Sequence, residues 1–432
     1  MENMDVGTVL MTIVYIVAMV FSLYGFFRFI RHRRLVKDVP TCKTTGVFIG
    51  LVELKGTAES ECPLECPFSN TPAVWFQWSV KEEWRRTRTV TETNSEGKTV
   101  TRTVVDTGYD TIASGGQTQK FYIKDDCGLL RIDPEKAKID AKGVFFESCT
   151  MGDPLYFQCG VSTPVHGSVG RRVYSETAIP LHHDIYVIGK SRVREDAVAA
   201  EIAWHKDAPL FLISTSTEDE VANTRGGLGC LCALFFMGGI LFGAYQALGR
   251  EYLAYTGLGA GGVVLAVWAW TVHLSIVELR NHALQARSNV DVELKRRYDL
   301  IPRILSVVSG MRNCEQTVLK EISELRAQTG YRSVDDAAAG QVVSVTPVVG
   351  AIMERYPQLN SNDQFMNLKK NLVETEQRIS LARHYFNDTV LNLNNRCEMF
   401  PDGIIARLSL VRRMKYLEIG DFESEPVKIN LA

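Results

Sequence analysis

The chain has 432 residues, of which 23% are charged, and a formal net charge of −2 at pH 7. A domain that binds phosphate groups normally carries a clear excess of Lys and Arg, so this balance argues against a nucleic-acid partner. The ten cysteines follow no regular spacing, and Cys230 and Cys232 lie inside an apolar run. A disulfide scaffold is therefore not expected.

Three runs of the chain contain no Asp, Glu, Lys or Arg, and they have 22, 24 and 26 residues. They follow Asp5, Arg225 and Glu251. About 20 apolar residues in a helix suffice to cross the hydrocarbon core of a bilayer. The first run lacks the basic start and the cleavage site of a secretory signal, and the other two lack the polar stripe of a soluble core hairpin. We therefore predict three transmembrane helices, at 6–28, 227–249 and 255–277.

Basic residues flank these runs unevenly. The first run is followed by Arg28, Arg31, Arg33, Arg34 and Lys37, and the third by Arg280, Arg287, Lys295, Arg296 and Arg297. The connector between the second and third runs carries only Arg250. Lys and Arg in short flanks tend to stay on the cytoplasmic side of a membrane. We therefore predict an N-terminus outside and two soluble parts on the cytoplasmic face.

Residues 40–224 contain short runs of Val, Ile, Thr and aromatic residues separated by Gly, Pro, Asn and Asp, which predicts a β-rich domain. Around residues 94–97, Asn-Ser-Glu-Gly, β-branched and polar residues alternate on both sides, and this pattern indicates a hairpin. One face of its arms is polar and the other has only Val or Thr. We expect a ribbon that projects from the edge of a sheet, either solvated or in contact with a partner.

A metal site is one hypothesis for this domain, because Cys62 and Cys66 are four residues apart and histidines follow them. The histidines are His166, His182, His183 and His205. Structural zinc sites usually have two close pairs of ligands, whereas this segment has one loose pair beside two prolines. We therefore predict no bound metal or other cofactor, and we place His182 and His183 in a surface turn.

Residues 46–220 resemble the GIDE domain in three segments, LVELKGTAESECPLECPFSNTPAVWFQW, HHDIYVIGKSRVRED and EIAWHKDAPLFLISTSTEDE. That domain lies between two spans in a family of mitochondrial ubiquitin ligases, where a RING follows it, and it also occurs in bacterial membrane proteins. A RING holds its zinc ions with a dense set of Cys and His ligands. After residue 280 the chain has only Cys314, Cys397, His282 and His384. The resemblance implies the domain without the ligase activity.

Beyond residue 278 the apolar period becomes helical, so residues 279–420 are predicted to form an all-α antiparallel bundle. The longest stripe has the spacing of a coiled coil and comprises Phe365, Leu368, Leu372, Thr375, Ile379, Ala382, Phe386, Val390 and Leu393. Shorter stripes lie at 290–308, 318–325 and 404–411. Pro302 lacks a backbone donor, so we expect a kink or restart near Leu300-Ile301.

The predicted fold class is thus a multi-domain membrane protein with a β-rich (α+β) domain, three transmembrane helices and a helical bundle. In the apolar runs, Gly239 and Gly243 are four residues apart, as are Gly257 and Gly261. Such pairs allow close helix contact, either between copies of the chain or within the hairpin of the second and third runs. His273 lies near the end of the third run, where we expect an interfacial position rather than a proton relay.

Residues 276–420 resemble the LemA family almost from end to end. Its opening motif is matched by Asp291, Val292, Leu294, Lys295, Arg296, Arg297, Asp299, Leu300 and Pro302. Its central motif is matched by Glu374, Thr375, Glu376, Ile379, Ala382, Arg383, Tyr385 and Asn387. LemA proteins are bacterial membrane proteins with no established enzymatic activity, and one branch takes part in building magnetosome membranes. The resemblance implies a bacterial inner membrane.

Five residues of these motifs are candidate interaction or structural residues: Arg296, Arg297, Glu376, Arg383 and Asn387. The last three lie beside the long apolar stripe and are expected to be partly buried. They form either a polar groove for a partner or a set of satisfied structural contacts.

The sequence contains no phosphate loop, nucleotide fingerprint, nucleophile elbow or metal-binding helix pair. We predict a non-enzymatic membrane scaffold or adaptor that acts in envelope stress or membrane remodelling. Its expected partners are the lipid bilayer, further copies of the chain, and other membrane or cytoplasmic proteins. A ubiquitin-ligase-like transferase is the alternative that the GIDE resemblance raises. A channel or transporter subunit is disfavoured, because three spans carry no embedded carboxylate.

Overall fold

The computed structural model of the chain describes residues 6–93, 99–158, 164–194, 199–248, 250–309, 349–350, 353 and 363–417. These residues form two compact units. One is Ile49–Thr217, which is built from strands, and the other consists of the segments before and after it, which are mainly helical. The predicted division into a β-rich domain and a helical region is confirmed.

Thirteen strands occur in the described residues. In chain order they are β1 Thr41–Cys42, β2 Gly50–Glu59, β3 Leu64–Glu65, β4 Pro72–Thr93, β5 Thr99–Thr118, β6 Phe121–Lys124, β7 Leu129–Ile132, β8 Lys138–Asp140, β9 Gly143–Thr150, β10 Ser168–Pro180, β11 Asp184–Val193, β12 Ala200–Ala203 and β13 Leu212–Ser214. Strands β2, β6, β7, β12 and β11 pair in that order, and β11 pairs back to β2, so these five close a small barrel. Each contributes a fully buried aliphatic side chain: Leu54, Ile123, Ile132, Ile202 and Ile188.

The second sheet contains the predicted hairpin, formed by β4 and β5. Strand β10 pairs with β4 only as far as Trp84, whereas β4 and β5 pair from Trp75 opposite Thr118 out to Thr93 opposite Thr99, with one bulge between Val80 and Lys81. Beyond Trp84 the two strands therefore project as a ribbon, which confirms the prediction. The turn at residues 94–98 lies outside the described residues.

The described helices are α1 Val6–Asp38, α2 Glu218–Leu248, α3 Leu253–Ser309, α4 Asp363–Glu398 and α5 Asp402–Leu408. The first three are long and apolar enough to cross a membrane. The predicted spans 6–28, 227–249 and 255–277 fall within these three helices to within one residue. Length and composition thus agree with the sequence-based prediction of three spans.

Helix α3 does not end with the third apolar run. It has 57 residues and continues past Glu278 and Pro302 to Ser309. Of the kink or restart expected near Leu300-Ile301, the restart does not occur, because the helix is continuous through both residues. Pro302 removes a single backbone donor, and the buried side chains of Ile301 and Ile304 keep this part of the helix packed. One helix therefore joins the third apolar run to the helical domain.

Helices α1 and α2 pack antiparallel. The Ser22 hydroxyl donates to the carbonyl oxygen of Cys232 at 2.7 Å, and the Tyr15 hydroxyl donates to that of Gly239. A Cβ atom on Gly239 would lie 2.3 Å from Met19, and one on Gly243 would lie 2.7 Å from the Tyr15 hydroxyl oxygen. The close contact of this glycine pair is therefore made with α1, whereas the predicted contact was with a second copy or with the third run.

The core of the helical domain lies between α3 and α4. Residues Ala283, Ala286, Val290 and Leu294 pack with Ile379, Ala382, Phe386 and Val390. Eight of the nine stripe residues predicted on α4 are buried, and Leu368 is half-buried. The predicted stripe at 318–325 lies outside the described residues.

Helix α5 ends at Leu408, before the end of the predicted stripe at 404–411, and of that stripe only Val411 packs against the core. Ile404 and Leu408 are 52% and 79% exposed, so their predicted place in the core is wrong. Ala406 and Ile405 pack into the core instead. The helix has fewer than two turns. The small side chain of Ala406 allows it to lie close to α3 and α4.

Candidate functional site

Charged residues from three helix ends meet beside α3. Helix α1 ends at Asp38, and Arg34 lies one turn before that end. Helix α4 carries Arg396 in its last turn, and α5 begins at Asp402. All of these helices belong to the helical unit. The site therefore joins the N-terminal helix to the C-terminal helices.

Arg396 connects two carboxylates. Its Nη2 and Nε atoms lie 2.7 and 3.1 Å from Oδ1 of Asp38, and its Nη1 lies 2.7 Å from Oδ2 of Asp402. Nη1 of Arg34 donates to the same Asp402 oxygen at 2.9 Å. On the other side, the Ser275 hydroxyl of α3 donates to Oδ2 of Asp38. We call Arg34, Asp38, Ser275, Arg396 and Asp402 the charged junction.

The charged junction is shielded from solvent. The side chains of Asp38 and Asp402 are each 9% exposed, that of Arg34 is 11% exposed and that of Arg396 is 25% exposed. Burial by itself lowers the pKa of Arg396, but the charges of Asp38 and Asp402 and the hydrogen bonds to them outweigh burial and raise it. Two carboxylates and two guanidinium groups balance one another, which makes their burial tolerable.

Two further contacts align α1 with α3. Arg31 pairs with Glu278, the first acidic residue after the third apolar run. The guanidinium carbon of Arg34 lies 5.9 Å from the ring centroid of Trp268. Two residues of the basic flank that predicts the orientation therefore also contact α3.

Two asparagines of α4 hold the extended segment that follows α5. The amide of Asn387 donates to the carbonyl oxygen of Leu417 and accepts from its N–H group, both at 2.9 Å. Asn394 binds Met414 in the same way at 3.0 and 3.1 Å. Seven helical residues rise about 10.5 Å and three extended residues span about 10 Å. The two spacings match, so the segment can run antiparallel to α4.

Three of the five predicted site residues come together between α3 and α4. Arg297 and Arg383 are 7% and 5% exposed, and Glu376 is half-buried. Arg297 lies within electrostatic range of both other residues. Burial lowers the pKa of Arg383, and the positive charge of Arg297 lowers it further.

The other two predicted residues have different partners. The side chain of Arg296 is 42% exposed, and its Nη1 is 3.9 Å from Glu293 on the same helix. Asn387 binds the backbone of Leu417 with both ends of its amide, which fits the structural alternative for this residue.

Sequence reasoning missed the charged junction. Asp38 is 358 positions from Arg396 and 237 positions from Ser275, so no local pattern connects them. A partial signal was present, because Asp38 is the first acidic residue after the first apolar run. Its partner was not identifiable among the many basic residues of the chain.

In the β unit, the cysteines and histidines considered as metal ligands have other surroundings. Cys62 is exposed, whereas Cys66 is buried beside Ala73 and Phe76. Burial raises the pKa of the Cys66 thiol, and the charge of Glu176 raises it further. Nδ1 of His182 lies 2.8 Å from Glu59, and its positive φ of 59° places it in a turn, as predicted.

The second sheet also buries an ion pair between Glu82 and Arg172, whose Oε2 and Nη2 atoms are 3.2 Å apart. Nη1 of Arg172 donates to the carbonyl oxygen of Tyr156 at 2.7 Å. The Tyr156 hydroxyl donates in turn to Glu82 at 3.1 Å. Because these groups bind one another in the interior, we assign them a structural role.

Two protein families match parts of the chain. Residues 88–243 match the family model GIDE, described as E3 Ubiquitin ligase, and residues 286–431 match the model described as LemA family. Searches among curated proteins and among solved structures found no match. The two matches follow one another along the chain and confirm both resemblances, but the GIDE match begins at residue 88 and does not cover the first resembling segment, residues 51–78. The chain therefore combines a GIDE domain with a LemA domain that follows it.

Proposed function

We propose that the chain is a non-enzymatic scaffold or adaptor anchored in a bacterial inner membrane. Helices α1, α2 and α3 are its three spans, and the GIDE and LemA domains lie on the cytoplasmic face. The length and apolar character of the helices support the spans. The uneven basic flanks support the orientation.

The observation that carries the proposal is the continuity of α3. The helix runs from its uncharged part directly into the core of the LemA domain, where Ala283 and Val290 pack against α4. A helix that leaves the bilayer without a flexible linker fixes the distance between the domain and the membrane. The charged junction then holds α1, α4 and α5 to the same helix. A domain held in this way is suited to presenting a surface to partners.

The chemistry of the charged junction fits a non-enzymatic role. Asp38 and Asp402 each bind a guanidinium group of Arg396, and Asp402 also binds Arg34. A general base must reach a substrate proton, whereas these carboxylates are buried and paired with cations. The arrangement has the properties of a fixed ionic joint.

The experiment that tests the proposal is the mass of the full-length protein in mild detergent, measured by light scattering. It is compared with a chain that ends at Arg280, which keeps Glu278 as the partner of Arg31 but lacks the LemA helices. We expect the full-length protein to form an assembly of several copies and the truncated chain to form one of fewer copies, because the LemA helices supply the contact surface. A monomer in both cases, with no protein neighbours cross-linked in native membranes, would contradict the proposal.

A ubiquitin-ligase-like transferase is the second candidate, and the match to the GIDE model favours it. Two observations would establish it: tightly bound zinc in the purified protein and transfer of ubiquitin from a charged conjugating enzyme. The four Cys and His residues after position 280 are too few for a RING, so we expect neither.

A further inference from the structure

Large apolar side chains are exposed in and around α5. They are Met399, Phe400, Ile404, Leu408 and Leu410, with 62%, 83%, 52%, 79% and 85% exposure. Single exposed apolar residues are common, but five within twelve positions form a patch that indicates an interaction surface. We call residues 399–412 the apolar wedge.

The position of the apolar wedge is set by contacts with α3. Ser409 Oγ lies 2.7 Å from Nδ1 of His273, and Ala406 packs in one cluster with Val272 and Ile276. These α3 residues lie in the last turns of the uncharged run that ends before Glu278. His273 precedes Glu278 by five residues, which is about 7.5 Å along a helix and falls within the ~5–10 Å depth of interfacial segments.

Basic side chains accompany the apolar ones. Arg407, Arg412, Arg413 and Lys415 are all exposed. Arg413 pairs with Glu398 at 3.0 Å, and the acidic Asp402 is buried in the charged junction. The exposed part of the segment is thus apolar and cationic. This combination is typical of segments that lie in the surface of an anionic bilayer.

We propose that the apolar wedge inserts Phe400, Leu408 and Leu410 into the headgroup region of the bilayer that α3 crosses, with Arg407 and Arg412 against anionic lipid phosphates. The inference rests on the proposed membrane crossing by α3. A lipid surface is the occupant that the geometry favours, because the wedge is fixed beside the end of a membrane-length helix. It gives the LemA domain a second contact with the membrane, in addition to the spans.

The test uses the full chain in vesicles of phosphatidylcholine and phosphatidylglycerol. A photoreactive benzophenone side chain is placed at one position at a time, and the adducts are identified by mass spectrometry. We expect lipid adducts when it replaces Leu410. The matched control is Val373 of α4, which is 43% exposed but about 37 Å from the end of α4 along its axis. It should give no lipid adduct.

A third position separates the two proposals. Phe21 is 73% exposed and lies within the first predicted span. Lipid adducts at Phe21 without any at Leu410 would overturn the wedge and leave the spans intact. Absence of lipid adducts at Phe21 would overturn the membrane crossing and the wedge with it. Adducts from Leu410 to protein, whether a second copy or another chain, would assign the patch to a protein interface and overturn the wedge.

The charge requirement is tested by Arg407→Gln together with Arg412→Gln. Each basic residue near an anionic surface favours contact with anionic lipid by about fivefold. The two effects multiply, so the ratio of phosphatidylglycerol to phosphatidylcholine adducts at Leu410 should fall about 25-fold in the double variant. An unchanged ratio would overturn the role of the two arginines.

Discussion

Arg396 and Asp38 are 358 positions apart in the chain, yet Nη2 of Arg396 lies 2.7 Å from Oδ1 of Asp38. A second hydrogen bond from Nε, at 3.1 Å, fixes the plane of the guanidinium group. The pair joins the last residue of α1 to the last turn of α4. The placement of the LemA helices therefore depends on a residue at the end of the N-terminal helix.

Arg396→Met should lower the free energy of unfolding by about 3 kcal/mol, because it leaves the nearly buried carboxylate of Asp38 without its guanidinium partner. Arg396→Lys should lower it less, since an ammonium group keeps the charge but loses the two-point contact of Nε and Nη2 with Asp38. Equilibrium unfolding of the full chain in mild detergent measures both losses.

Arg378→Met is the matched control on the same helix. Arg378 also has a carboxylate partner, Glu374 at 2.9 Å, but the two side chains are 35% and 45% exposed. An exposed pair one helical turn apart contributes only about 0.5 kcal/mol. Equal losses of unfolding free energy for Arg378→Met and Arg396→Met would show that the charged junction stabilises the protein no more than an exposed ion pair does.

Asn394→Ala should release the segment after α5, because the side-chain oxygen that accepts the Met414 N–H is lost. We expect a loss of about 1–2 kcal/mol and faster hydrogen exchange at the Met414 amide. The neighbouring Asn395→Ala removes an exposed side chain and should leave the exchange rate unchanged. Unaltered protection of the Met414 amide from exchange in Asn394→Ala would show that the Asn394 side chain does not hold this segment.

Gly56→Ala should destabilise the barrel formed by β2, β6, β7, β12 and β11. A Cβ atom on Gly56 of β2 would lie 2.2 Å from the carbonyl oxygen of Lys124 in β6, and relief requires the two backbones to separate. We expect a loss of about 3 kcal/mol. Gly143→Ala in β9, where the nearest atom is 3.8 Å away, is the control. The urea midpoints of the two variants are measured by tryptophan fluorescence. Similar midpoints would show that Gly56 does not lie close to the Lys124 carbonyl oxygen.

Cys62 and Cys66 should differ in reactivity towards iodoacetamide. Thiolate is the reactive form, and burial raises the pKa of the Cys66 thiol, so less thiolate is present at any given pH. Cys62 is exposed and should react at once, whereas Cys66 should react only after unfolding. Peptide mapping over time measures both rates. Protection of both thiols that a chelator abolishes would instead support the metal hypothesis.

Much of the architecture follows from the sequence alone. The three membrane-length helices are visible as runs without charge, because the cost of a charge in an apolar medium acts on each residue separately. The ribbon of β4 and β5 and the buried stripe from Phe365 to Leu393 are visible as periods of two and of three to four. In each case the signal lies within one segment.

The tertiary structure decided which distant groups meet. The chain has 48 Lys and Arg residues, and only the packing of α1, α3 and α4 determines that Arg396 pairs with Asp38. Asn387 lies beside the apolar stripe in the sequence, but its role depends on the position of the Leu417 backbone in the fold. Ile404 and Leu408 look like core residues and face outward, because α5 docks through Ala406. Periodicity reports the environment of a single element, whereas pairing and docking depend on how the elements are placed around one another.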